Sequence, residues 1–286
     1  MAGGLRAMRP RGFTLVELVM VIVITGILAA VLTVFFRPSV DAYFDTGRRA
    51  GLTDMADTAL RRMAQDIRRA VPNSIRSVSA TCFQLVPTIA GGRYRMASDT
   101  VNDSGALPCT PSGTCSAPLD VAQTTTVFDV LSPLSITPAV GDWVVVDNQN
   151  AGDVYTGTNR AQITQVPSAP RSTDGQHRIR IGGTQFPQGY DGGRFVVVAN
   201  AEQTVFYNCV GATLYRTVAG FGANQATVCA ATTGAAVANN VAGCSFIYSP
   251  NQGATQQSGF VWMRLELSSA GESVALAHGV HVDNVP

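Results

Sequence analysis

The chain contains no lysine: all twenty of its basic residues are arginine. That absence removes Schiff-base lysine chemistry, the P-loop lysine and serine–lysine hydrolases. G-x-S-x-G, GxxxxGK[ST] and HExxH are also missing, so no common hydrolase, nucleotide or zinc-protease motif supports an enzyme. No C-x-x-C occurs, which leaves neither a zinc ribbon nor a thioredoxin-like site. Charge is scarce as well, with a formal net charge of +1, so the electrostatic footprint of a nucleic-acid binder is lacking.

What remains is rich in Gly, Ala, Thr, Ser and Val, a composition suited to a β-rich extracellular domain. The 286 residues allow one large domain or two small ones. Near the start, RPRGFTLVELVMVIVITGILAAVLTVFF forms one long apolar run. From Phe13 to Phe36 only Thr14, Glu17, Thr25, Gly26 and Thr33 interrupt it. As a helix this run measures about 36 Å, enough to cross a hydrocarbon core of about 30 Å. Arg6, Arg9 and Arg11 precede it and only Arg37 follows closely, which puts the N-terminus in the cytoplasm. A cleaved secretory signal would have an apolar stretch of only about 7–15 residues and no acid near its start. A plain signal anchor explains the length but not Glu17, because a carboxylate in a bilayer costs about 2.5–3.5 kcal/mol at the centre.

Arg11-Gly12-Phe13-Thr14-Leu15-Val16-Glu17-Leu18 resembles the class III signal of type IV pilins and pseudopilins. The resemblance implies cleavage by prepilin peptidase between Gly12 and Phe13, N-methylation of Phe13, and an assembly role for Glu17. A cationic amine at the end of an apolar helix is costly in lipid, and Glu17 lies about 6 Å along the axis from it. A carboxylate of one subunit meeting the amine of its neighbour would satisfy both charges. The implied partners are prepilin peptidase, other major and minor pilins, and the inner-membrane assembly platform. The implied course is a single-pass inner-membrane protein with a periplasmic head, later a component of a pilus at the cell surface.

Past Pro38, which can kink a helix, Val40, Phe44, Leu52, Met55, Ala59, Met63, Ile67 and Val71 recur at helical spacings. Arg61, Arg62, Asp66, Arg68 and Arg69 are expected on a solvated face, and Pro72 and Asn73 are expected to end the helix. From about Ser77 short β-type runs alternate with turns. They are 81–86, 126–131, 143–147, 178–181, 194–199, 204–209, 213–218, 244–248 and 259–267. The runs 204–209 and 213–218 read as a hairpin around Gly211, and 98–120 reads as a loop. The expectation is an α+β, pilin-like fold: a long N-terminal helix, half membranous and half amphipathic, packed on a β-rich head of antiparallel sheet. Its expected parts are a leader at 1–12, a membrane or filament-core helix at 13–36, an amphipathic continuation at 37–76 and a head at 77–286. RRMAQDIRRAVPNSIR (61–76), VGDWVVVDNQN (140–150), TLYR (213–216) and HVDNVP (281–286) further resemble minor pilins of MSHA-type systems. The LYR element and helix pattern are shared with J-type pseudopilins of type II secretion and with PilW-like minor pilins.

The cysteines Cys82, Cys109, Cys115, Cys209, Cys229 and Cys244 all follow the apolar segment, which predicts disulfides in an oxidising compartment. Proximity and strand placement predict the pairs Cys109–Cys115, Cys209–Cys229 and Cys82–Cys244. The histidines predict no metal site: His278 and His281 fall on opposite faces of a strand, and His177 lies in a turn. Asp147, Asn150 and Asp153 lack the glycine spacing and terminal glutamate of an EF-hand and read as a polar turn. No cofactor is expected. Two functions fit these readings: a structural minor pilin that initiates, caps or completes a filament, and a binding head that acts as a tip adhesin or recruits substrate for a secretion pseudopilus.

Overall fold

A computed structural model describes residues 12–103, 115–188, 192–252 and 258–285. By its internal contacts the chain forms two units, one ending at Gly51 and one starting at Leu52. In the first unit, helix α1 (Leu15–Arg68) begins and continues through Pro38 without a break in the assignment. Its apolar residues in this unit are exposed, and an 18-residue window reaches a mean hydropathy of 2.9.

In the second unit α1 turns one stripe inward. Leu52, Ala56, Ala59, Leu60, Met63, Ala64 and Ile67 are all buried. Their spacing of three and four places them on one helical face, and alanines at three positions let the sheet approach closely. The helix ends at Arg68, before the expected Pro72. The chain instead joins the sheet: Ala70 bridges to Pro87, and the Val71 N–H donates to the Val86 carbonyl at 2.8 Å.

The strands are β1 (Arg76–Ser79), β2 (Cys82–Leu85), β3 (Ala90–Arg93), β4 (Thr125–Val130), β5 (Trp143–Val146), β6 (Arg160–Ser168), β7 (His177–Thr184) and β8 (Arg194–Val198). They continue as β9 (Thr204–Val210), β10 (Thr213–Ala219), β11 (Ala235–Asn239), β12 (Val241–Gln252), β13 (Ser258–Ser269) and β14 (Glu272–Asp283). Two short helices, α2 (Asp153–Thr156) and α3 (Gln225–Cys229), lie between them. The nine β-type runs read from the sequence all fall on strands, and the β9–β10 hairpin turns at Gly211, whose φ of 58° suits glycine. Antiparallel sheets with α1 packed on them make the fold pilin-like and α+β, as the sequence predicts.

The α1 stripe packs on a five-stranded sheet, β1-β2-β9-β10-β11, and on a three-stranded sheet, β12-β13-β14. Val261, Met263, Leu265 and Leu267 of β13 are buried, while Arg264 and Glu266 pair at 3.1 Å on the other face. The remaining sheet, β3-β8-β5-β6-β7-β4, is built from the segment between β2 and β9, which are themselves hydrogen-bonded neighbours. It is therefore an insertion into the helix-bearing sheet. It closes on itself where Tyr94 bridges Val130 and the Leu131 N–H donates to the Arg93 carbonyl at 2.8 Å. Closure removes open edges, and Phe128 fills the inside, edge-on to Tyr94 and Phe195.

Two expected disulfides are corrected. The bonds are Cys82–Cys229 and Cys209–Cys244, with Cα–Cα distances of 5.9 and 6.6 Å. Strand alternation explains both. Cys82 stands opposite Asn208, so it shares the sheet face on which Asn208 donates to the Cys229 and Ala231 carbonyls of the α3 turn. Cys209 points to the other face, with Tyr207 and the α1 core, where β12 brings Cys244. Cys115 is also disulfide-bonded, and its expected partner Cys109 lies outside the described residues. Peptide mapping without reduction should recover Cys82–Cys229 and Cys209–Cys244 peptides. A Cys82–Cys244 peptide would overturn the assignment. The loops span 147 and 35 residues of separation, and by the chain-entropy model they contribute roughly 5 and 4 kcal/mol.

Candidate functional site

The N-terminal signal lies where the helix starts. Gly12, Phe13 and Thr14 precede α1 in non-helical backbone, and Glu17 sits in its first turn. The Thr14 hydroxyl accepts from the Glu17 N–H at 3.3 Å, and the Thr14 carbonyl accepts from the Leu18 N–H at 3.2 Å. Thr14 is thus the N-cap, and Thr-x-x-Glu matches the sequence pattern of a capping box. An acid in the first turn also favours the positive end of the helix dipole. Phe13 is 81% exposed, and Glu17 is exposed too. The arginines Arg6, Arg9 and Arg11 lie outside the described residues.

In the second unit, the charged residues at the end of α1 are not all on a solvated face. Arg61 pairs with Asp57 at 2.6 Å on the surface. Asp66, by contrast, is only 3% exposed. It follows Ala59 by seven residues and Met63 by three, so it lies on the buried stripe. The Arg216 Nε donates to it at 2.7 Å, the Tyr207 hydroxyl at 2.8 Å and an Arg69 guanidinium nitrogen at 2.8 Å. Arg216 also meets Glu202 at 2.7 Å. Burial opposes ionisation of Asp66, but hydrogen bonds from Arg216, Tyr207 and Arg69 overrule it and hold the carboxyl below the usual range. Burial first, and then the Asp66 charge, pushes the Tyr207 phenol well above its ordinary value. Within this unit the pair fixes the rotation of the helix against β9 and β10.

A second junction joins the segment after α1 to two distant stretches. Asn73 adopts φ 59°, a left-handed conformation that asparagine tolerates. Its side-chain amide donates to the Asn148 carbonyl at 2.9 Å and to the Asn284 carbonyl at 3.0 Å. Asn148, itself buried, donates to the Pro72 carbonyl at 2.6 Å and accepts from Val154 N–H and the Asn159 amide, both at 2.9 Å. Asn284 donates to the Pro250 carbonyl at 2.9 Å and to the Tyr248 hydroxyl at 3.2 Å. The stretches 61–76, 140–150 and 281–286 thus meet here, and 213–216 meets 61–76 through Arg216 and Asp66.

The polar turn at 147–153 is closed by its own bonds: Asp153 accepts from the Asn150 N–H at 2.9 Å and Asp147 accepts from Gln149 at 2.8 Å. His177 opens β7 opposite Val130. His278 and His281 lie in β14 opposite Met263 and Phe260, the His281 ring 4.9 Å from that of Phe260. Among the described residues no group of three or more His, Cys, Asp or Glu is placed to hold a metal ion.

The prokaryotic N-terminal methylation motif matches residues 7–33. No curated protein matches the chain, and no solved structure does. The motif and the long N-terminal helix make the chain type IV pilin-like, and the motif implies a pilin or pseudopilin that prepilin peptidase processes and that assembles with other pilins. Proteins of this kind are structural and not enzymatic, and the hydrophobic helix anchors them in the inner membrane before assembly.

Asp66→Asn should destabilise the fold by about 3 kcal/mol in urea unfolding, because Arg216 loses a buried partner. With its lowered carboxyl pKa, the stabilisation from Asp66 should be complete above pH of about 4 and fall away as pH drops through the folded value. An Asp66→Asn variant that matches the parent in both measurements would remove Asp66 from the account.

Proposed function

We propose that the chain is a minor pilin of an MSHA-type type IV pilus, of the kind represented by MshO, that initiates, caps or completes the filament. The methylation motif over residues 7–33 carries the reading. It is supported by the convergence of the stretches that resemble MSHA-type minor pilins: Asn73, Asn148 and Asn284 bond at one junction, and Asp66 meets Arg216. Stretches that resemble one family and also bond to one another are what a shared scaffold requires.

In this reading residues 1–12 are the leader, 13–36 the membrane and filament-core helix, 37–76 its amphipathic continuation and 77–286 the head. Prepilin peptidase cuts between Gly12 and Phe13 on the cytoplasmic side, and Phe13 becomes the methylated terminus. Glu17 pairs with the terminal amine of a neighbouring subunit, a contact that low dielectric strengthens and that makes either lone charge costly. The inner-membrane platform extracts the subunit, and the head passes from the periplasm to the cell surface. A J-type pseudopilin or a tip adhesin is the second reading, favoured by the closed sheet inserted between β2 and β9, a module beyond what the helix-bearing sheet requires.

Sheared MSHA-type pili should contain the protein, and mass spectrometry should find it beginning at Phe13 with one added methyl. An intact leader in assembled protein would overturn the processing site, and recovery solely with a secretion pseudopilus would overturn the pilus assignment. Glu17→Ala should insert in the membrane at least as well as the parent, because an intramembrane charge is gone. Its incorporation into filaments should fall. Normal incorporation would remove the pairing role.

A further inference from the structure

A cleft of about 330 Å³ opens on the outside of the closed sheet, beside the segment that follows α1. Val71, Val145 and Val196 form its apolar wall. In the β3–β8 register Gly91 stands opposite Val196 and Arg93 opposite Arg194. Alternation along the strands therefore puts these residues on one face. Gly91 keeps the wall low there: a Cβ in its place would crowd the Phe195 carbonyl at 3.1 Å and Val196 Cγ1 at 3.4 Å.

The arginines are the unusual feature. Like charges directly opposite each other across two strands are destabilising. Elsewhere in the head Arg171, Arg178 and Arg216 each meet carboxylates. Arg93 and Arg194 are exposed. Arg93 donates its Nε to the Gly192 carbonyl at 3.1 Å, which leaves its terminal nitrogens to other acceptors. Asp147 also lines the cleft and is engaged by Gln149 at 2.8 Å. Among the described lining residues two guanidiniums face one carboxylate, a net single positive charge. An apolar wall beneath two guanidiniums that outnumber the nearby carboxylate suits a ligand with an apolar body and one negative charge.

We propose that this cleft binds a medium-chain carboxylate, its alkyl chain against Val71, Val145 and Val196 and its carboxylate between Arg93 and Arg194. A monoanion matches the net charge better than a phosphate dianion does. The guanidinium fork gives the carboxylate its geometry, and Gly91 gives the chain its room. The like-charge pair is then relieved when the ligand is in place. This site lies apart from the N-terminal signal and does not depend on the filament reading.

The test uses the full chain in phosphatidylcholine nanodiscs and radiolabelled octanoate in equilibrium dialysis, with empty nanodiscs subtracted. Saturable binding at one site per chain is expected. The Arg93→Gln/Arg194→Gln pair should weaken it by about tenfold or more, while the melting temperature of the ligand-free protein stays level or rises because like charges no longer face each other. Gly91→Leu should abolish binding by filling the cleft; if that variant fails to fold, the arginine pair carries the test. Octanol should bind at least about tenfold more weakly than octanoate, and inorganic phosphate should not compete. No saturable binding above empty nanodiscs would overturn the proposal, as would binding untouched by the arginine substitutions or octanol binding as tightly as octanoate. Octyl phosphate binding more tightly than octanoate would overturn the choice of a carboxylate.

Discussion

Asp66 is a carboxylate on the buried face of a helix, and the head is arranged around making that tolerable. A lone ion taken out of water costs several kcal/mol, so it must be met by donors with good geometry. Arg216 from β10, Tyr207 from β9 and Arg69 from the helix end supply them. Tyr207 in turn stacks on Phe83 of β2, its centroid 5.3 Å away, so the polar contact is continuous with the apolar core. An apolar side chain at position 66 could slide along a greasy sheet. A charge that must reach three donors cannot, and it sets the register of helix against strands. The alanines at 56, 59 and 64 permit the close approach, and Asp66 selects one version of it.

The same rule governs the inserted sheet. Asp129 of β4 and Arg178 of β7 face each other in register, both buried, with Nε to Oδ1 at 2.6 Å. The Ala117 N–H donates to Asp129 at 2.7 Å and Arg178 donates to the Cys115 carbonyl at 2.8 Å. The pair therefore pins an irregular segment over the outside of the sheet. Arg171 extends the network to Asp174 and Asp103 at 2.8 and 2.7 Å. Asp103 accepts from both the Ser116 N–H and its hydroxyl, and these bonds, with Arg171 adding to them, hold its carboxyl below the usual range. With a closed sheet inside and an ion network outside, the insertion keeps its shape without relying on a single large core. An apolar core would hold such loops less specifically, since dispersion contacts have little directionality.

Much of this architecture depends on which way a side chain faces along a strand. Cys82 and Cys209 are drawn to different partners because Asn208 and Tyr207, next to each other in β9, point to opposite sides of the sheet. The expected pairing of Cys209 with Cys229 relied on nearness along the chain, and a sheet is an effective barrier between its own two faces. The parity was present in the sequence: Cys209 keeps step with Val205 and Tyr207, which are buried against the helix. Asp66 was legible in the same way, three residues after Met63 on the apolar stripe, although its charge argued for solvent. Thr14 was legible as a cap as soon as Thr-x-x-Glu was read as a helix start as well as a signal.

The sequence by itself determined the class III signal, the apolar length that follows it, the 3.6-residue stripe from Leu52 to Ile67 and the alternation of the main strands. These are local patterns, set by transfer free energy and backbone periodicity over neighbouring residues. Only the tertiary structure decided that β3 to β8 form a closed insertion between paired strands β2 and β9, that Asn73, Asn148 and Asn284 share one junction, and that Arg93 stands opposite Arg194 on paired strands beside a cleft. Each of these joins residues far apart in the chain. Pairing partners among strands of similar composition differ by small sums of packing and hydrogen-bond energy spread over the whole head, and no single stretch of sequence contains that sum.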